Sequence, residues 1–155
     1  MEHYCLDEVD YSILKILQND SRITYNEMGR KLNRSKTPLL KRVKRMERLG
    51  YIQSYVTLLD YSKISSCLMS YVSIKLSDHS IEAMESFAAD ATALPEVMEC
   101  VHLTGNVDFL LKVAARNMEH YNELLFRKLG KLDNIASLNS SIILGQSKNS
   151  PAIPF

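Results

Sequence analysis

Asn33 to Gly50 reads NRSKTPLLKRVKRMERLG, a stretch in which seven Lys and Arg stand against the single acid Glu47. Its ends are written locally. Ser35 is the predicted N-cap, Pro38 falls in the first turn where its missing N–H costs least, and Gly50 supplies the left-handed residue that ends the helix. At about 100° per residue, Leu39, Val43 and Met46 gather on one side and Lys41, Lys44, Arg45 and Arg48 nearly opposite. Arg30, Lys31, Arg34 and Lys36 precede the same helix. A solvated surface face is the ordinary reading of a charge run, but like charge this dense repels itself unless a polyanion neutralises it.

The segment in front selects the polyanion. Thr24 to Leu32, TYNEMGRKL, carries the Thr24-x-x-Glu27 capping-box spacing, and Asn33-Arg34 then turns the chain into the basic helix. A short helix, a tight turn and a basic helix make a helix-turn-helix, whose second helix lies in the major groove of duplex DNA. Ser35, Lys36 and Thr37 sit at the end that touches base edges in such proteins, Lys41, Arg45 and Arg48 are better placed for phosphates, and Arg34 and Lys44 complete the expected DNA-binding set. Arg42, near the apolar boundary, is expected to be structural and to pair with an acid such as Glu47.

Outward from this unit, Leu6 to Asn19 opens with Asp7 as an N-cap and carries Ile13, Leu14, Ile16 and Leu17 at helical spacing, a first helix under the other two. Tyr51 to Asp60 is rich in β-branched and aromatic residues and predicts a wing or a connecting strand, and residues 61–67 read as a Ser-rich linker. The chain is 155 residues long, 46% hydrophobic and 24% charged, ordinary for a soluble globular protein of one domain or two small ones. Its net charge of +1 hides an asymmetry: residues 1–60 hold 11 basic against 8 acidic side chains, the remainder 8 against 10. Cys5, Cys67 and Cys100 are far apart, with no metal-binding or disulfide pattern. No apolar run reaches a membrane span, and the acidic MEHYCLDEVD start is unlike a signal peptide, so the expected location is the cytoplasm.

From Leu68 the period changes. Leu68–Leu76 alternates as a strand, and residues 80–94 show Ile81, Met84, Phe87, Ala88, Ala91 and Leu94 at helical spacing before Pro95. Two strands, 97–104 and 107–115, meet around Gly105-Asn106. Asn117 caps a helix bearing Met118, Tyr121, Leu125 and Leu129, and 135–144 is a last strand. The expected fold is therefore α+β: an N-terminal winged helix-turn-helix domain over 1–52, a connection over 53–67, and a ferredoxin-like βαββαβ domain over 68–146. A tail, 147–155, is expected to be loose or a subunit-clasping arm. Both helices fall on one sheet face, so Met98, Cys100, Leu110 and Ile143 are expected on the other, where a second copy would cover them.

This combination resembles the Lrp/AsnC (leucine-responsive, feast/famine) family of transcription regulators. The likeness rests on Leu6-Asp7 with Asp10 and Ile13-Leu14, the run Leu17 to Arg22, Ser35-Lys36-Thr37-Pro38, Arg42 to Glu47, Leu49 to Ile52, and Gly105-Asn106-Val107-Asp108-Phe109. It implies a homodimer, with an octamer as the larger assembly, that binds DNA and senses an amino acid between its C-terminal domains. The effector set it implies is Leu103, Thr104, Gly105, Asn106, Val107 and Asp108, with Ser140. Gly105 permits close backbone approach, exposed amides meet a carboxylate, and Asp108 accepts an ammonium group. Gly29 departs from the small residue such as Ala usual there, and Leu138-Asn139-Ser140 from a more Thr-rich pattern.

Catalytic and metal constellations are not found: His3, His79, His102 and His120 show no ligand spacing, no Ser-His-Asp arrangement or Gly-rich phosphate loop is present, and no cofactor is expected. Two rival readings stand beside the amino-acid-responsive regulator. One is an architectural protein that wraps DNA with little sequence preference. The other is an enzyme resembling sirohaem decarboxylases, which share the two-part fold; only His102 beside the Gly105 loop invites it, and a basic recognition helix has no purpose there.

Overall fold

The computed structural model describes residues 4–64 and 67–155. The chain divides into two compact units, Met1–Leu58 with Lys148–Phe155, and Leu59–Ser147. Sequence reading gave the connection as 53–67; Ser65 and Ser66 of it lie outside the described residues.

The first unit is built on α1 (Glu8–Asn19), α2 (Tyr25–Leu32) and α3 (Lys36–Arg48). Each boundary has a local cause. Asp7 and Asp10 form a reciprocal capping box on α1, and Thr24 with Glu27 forms one on α2. Asn33 ends α2 at φ 49° and Gly50 follows α3 at φ 80°. In each case the next residue's N–H reaches back five residues, Arg34 to the Gly29 carbonyl at 2.9 Å and Tyr51 to the Met46 carbonyl at 2.9 Å, a Schellman closure. Ile13, Met28, Leu39, Val43 and Met46 form the buried core.

Gly29 stands where a side chain has no room. A Cβ there would lie 2.6 Å from the Arg34 carbonyl oxygen, and that turn is pinned by its own hydrogen bond to Gly29. Gly29→Val is expected to destabilise this unit by about 2 kcal/mol through overpacking against backbone that cannot retreat. A shifted urea midpoint at unchanged slope would report it.

Tyr51 to Asp60 forms no strand. Its composition suits a sheet, but the only sheet among the described residues lies in the other unit, so the segment has no regular structure, with Tyr55 donating to Glu47 Oε1 at 2.9 Å. A single turn, α4 (Tyr61–Ile64), opens the second unit.

That unit runs β1 (Leu68–Leu76), α5 (Ile81–Thr92), β2 (Val97–His102), β3 (Phe109–Ala115), α6 (Met118–Glu123) and β4 (Ile135–Ile142), with antiparallel sheet order β2-β3-β1-β4. This is the ferredoxin-like arrangement. Val72, Ile74 and Leu76 of β1 and Phe109, Leu111 and Val113 of β3 bury one face against Phe87 and Ala91 of α5 and Tyr121, Leu124 and Leu129 beyond β3. After α6 the chain widens into a π-helical turn, Leu124–Lys128, and tightens into a 3-10 turn, Leu129–Lys131. Met118, expected inward, is exposed.

Cys100 is also corrected. A bulge between Val97 and Glu99 shifts the register, Cys100 pairs with Leu111, and so it packs against the helices. Leu110 and Ile143 do lie on the opposite face, with Met69, Tyr71, Lys112 and Asn139, so that face is mixed rather than apolar.

Candidate nucleic-acid interface and effector loop

At 100° per residue, Thr37, Lys41, Lys44 and Arg48 fall on one stripe of α3, nearly opposite the buried Leu39, Val43 and Met46. All four are exposed, as are Arg34, Ser35 and Lys36 at the helix start. Ser35 occupies the cap position in extended conformation, yet its hydroxyl makes no cap hydrogen bond. The first turn therefore presents a hydroxyl and orphan amides together, a polar end suited to anions and base edges. A concavity at the α2–α3 turn adds Arg30 and Asn33 to the same surface.

Arg45 and Arg42 are placed differently. Both lie on the flank of α3 facing α1, where Asp10 is fully buried. Arg42 Nη1 donates to Asp10 Oδ1 at 2.8 Å and to Asp7 Oδ2 at 2.7 Å. The partner of Arg42 is thus the α1 cap, not Glu47. Arg45 stacks on the Tyr4 ring, 3.7 Å from its centroid, and donates to the Tyr4 hydroxyl, which itself donates to Asp10 Oδ2. Tyr51 closes the group by donating to the Tyr4 carbonyl at 2.6 Å. The hydrogen bonds Arg42 donates to Asp10 and then Asp7 raise its already high pKa further. The Asp10 backbone N–H, then Arg42, hold the Asp7 carboxyl below its ordinary value. Sequence reading found the caps but missed this network, whose members lie on opposite ends of the unit's sequence.

In the second unit, Leu103 to Asp108 joins β2 to β3. Leu103 donates to the Asp108 carbonyl at 2.8 Å and Asp108 donates to the Ile74 carbonyl at 2.9 Å. Gly105 takes φ 120°, with open space where a Cβ would stand, while Asn106 does not adopt positive φ. Leu103, Thr104, Gly105 and Asn106 are exposed; Val107 and Asp108 are half-buried. Asp108 Oδ2 accepts from the Leu76 N–H at 2.7 Å and from His79 Nε2 at 3.1 Å, a pair that is ionic when His79 is protonated. The Leu76 N–H leads in holding its carboxyl below the ordinary range, with His79 adding to it. Asp108 is therefore neither solvated nor wholly free, because one of its oxygens is already engaged.

Ser140 is not brought to this loop within one chain. It pairs with Val72 on the edge strand β4, and β1 stands between it and the β3 end of the loop. His102 stacks on Phe109 at 5.0 Å between ring centroids. Among the described residues no group of His, Cys, Asp or Glu is arranged to hold a metal, and no helix is long and apolar enough to cross a membrane.

A capped helix-turn-helix with an outward cationic stripe, followed by a ferredoxin-like domain, defines a DNA-binding transcription regulator with a separate ligand-binding domain. Residues 6–53 match a winged helix-turn-helix DNA-binding model and residues 69–153 match the Lrp/AsnC ligand binding domain. The chain belongs to the Lrp/AsnC family. It is 34% identical over 145 residues to the leucine-responsive regulatory protein of Salmonella typhimurium, covering 94% of this chain and 88% of that one. It is 33% identical over 150 residues to the proline dehydrogenase transcriptional activator of Rhodobacter capsulatus, covering 96% and 97%. A transcriptional regulator of Neisseria meningitidis, solved as its L-Met complex, superposes with TM-score 0.88 at 29% identity, covering 97% of each chain.

Proposed function

We propose that this regulator grips duplex DNA through Thr37, Lys41, Lys44 and Arg48, with Arg34, Ser35 and Lys36 at the base edges, and that an amino acid at the Leu103–Asp108 loop changes its occupancy. The observation that carries the DNA contact is the exposed stripe itself, which holds three cations and no acid. The reading includes a cytoplasmic homodimer, whose two recognition helices enter major grooves about 34 Å or a multiple apart. An octamer is the larger assembly.

For the effector, Gly105 leaves the loop backbone open to a carboxylate, and Asp108 Oδ1, without a hydrogen bond among the described residues, can take the ammonium. Ser140 would then come from the facing subunit, which fits its distance from the loop in one chain. By linkage, whatever factor the amino acid imposes on DNA affinity, DNA imposes on amino-acid affinity.

The test is calorimetric titration with each of the twenty amino acids, paired with DNA binding at fixed salt. One or more should bind and alter DNA affinity. Asp108→Asn, which can still accept the Leu76 N–H, should weaken that binding by at least tenfold while DNA affinity without effector stays within twofold. Equal affinity in the variant would remove Asp108 from the site.

A further inference from the structure

The outer face of α1 is occupied. Tyr11, Leu14, Lys15 and Gln18 share the side of α1 turned away from Ile13, and Pro151 to Phe155 lie along it. The Gln18 side chain meets one residue of the tail twice: Ile153 N–H donates to Gln18 Oε1 at 2.6 Å, and Gln18 Nε2 donates to the Ile153 carbonyl at 3.3 Å. A primary amide bonded this way satisfies a peptide as a neighbouring strand would. Phe155 packs edge-on to Tyr11, with centroids 5.6 Å apart, and Lys15 Nζ lies 5.9 Å from the Phe155 ring centre. Leu14, Leu17 and Gln18 of α1, residues 51–56 and Leu58 line one concavity together with Pro151, Ala152 and Ile153.

The tail's sequence suits this seat. Pro151 and Pro154 fix their own φ, and Ile153, standing before Pro154, is confined to extended conformations that hold its N–H and C=O open to a partner. Less chain entropy is lost on docking than a flexible segment would lose. The geometry has a mechanical consequence, because the tail belongs with the DNA-binding unit while the strand just before it belongs to the ligand-binding unit. The chain therefore passes between the units twice, after Leu58 and after Ser147.

We infer that the outer face of α1 is a docking groove for Pro151–Phe155 of the same chain, and that the docked tail is a second tether between the ligand-binding unit's last strand and the DNA-binding unit. The tether needs no effector, so it stands apart from the amino-acid reading.

The full-length protein supplies the test. Amide exchange at Ile153 should be at least tenfold slower than the rate for an unstructured peptide of that sequence. Gln18→Ala changes an exposed side chain, and Ile153→Pro removes the donor without touching α1. Either should strip that protection from the tail, read at Ile153 or, in the proline variant, at Phe155. Nitrogen-15 relaxation should then report a shorter rotational correlation time for α1–α3 than in the parent, with β1–β4 unchanged. Free-peptide exchange at Ile153 in the parent protein would overturn the groove. An unchanged correlation time after release would overturn the tether, and isotope-filtered contacts found only between different subunits would overturn its assignment to the same chain.

Discussion

Asp10→Ala is expected to destabilise the DNA-binding unit by about 3–5 kcal/mol, the range for breaking a buried ion pair by removing one partner. The carboxylate is fully buried and holds together the α1 cap, the Tyr4 hydroxyl and Arg42 of the recognition helix. Alanine would leave the guanidinium of Arg42 with Asp7 alone and the Tyr4 hydroxyl without its acceptor. Chemical denaturation followed at the helical signal measures the loss. Tyr4→Phe, which removes one hydroxyl and keeps the ring under Arg45, should cost only about 1 kcal/mol. Equal costs for the two variants would mean that Asp10 does not centre the network.

The same cluster sets an acid limit. The Asp7 carboxyl is held below its ordinary value in the fold, so its contribution is present above the unfolded pKa, about 3.9, and is lost as pH falls through the lower folded value. Stability of the parent should fall in that acid window, and Asp7→Asn should flatten that part of the curve.

What was legible in the chain followed the range of the interactions. Thr24 with Glu27, Asn33 and Gly50 fix α2 and α3 through bonds spanning three to five residues, so composition and spacing were enough to place them. The order of strands and helices was equally readable from period. Facing was harder. Cys100 turned inward because of one bulged residue, and Tyr51–Asp60 had strand chemistry but no strand edge to join. Arg45 was the costliest ambiguity. Its angular position on α3 lies near the edge of the cationic stripe, and only the arrival of Tyr4 and Asp10, from more than thirty residues earlier, draws it to the flank. In the Leu103–Asp108 loop, the sequence marked Gly105 and Asp108 but carried no sign that the Leu76 N–H and His79 would engage the carboxylate.

The division between the anchoring arginines and the exposed cations proposed to meet DNA predicts the second large effect. Replacing Lys41, Lys44 and Arg48 together by alanine should lower the slope of log affinity against log salt by about 2.7 for each recognition helix on DNA, since each phosphate neutralised contributes about 0.9. At 0.1 M salt that corresponds to roughly a 500-fold loss per helix, shared across all DNA sequences. The fold should survive, because these side chains are exposed and alanine favours the helix. Arg45→Ala should do the reverse: with its guanidinium stacked on Tyr4 and 3.9 Å from Asp10, it should lower stability and leave the salt slope unchanged. Salt titrations of DNA binding alongside urea unfolding separate the two classes. If Arg45→Ala instead lowered the slope by about one unit at full stability, Arg45 would reach a phosphate in the complex and would belong with the stripe rather than with the anchor.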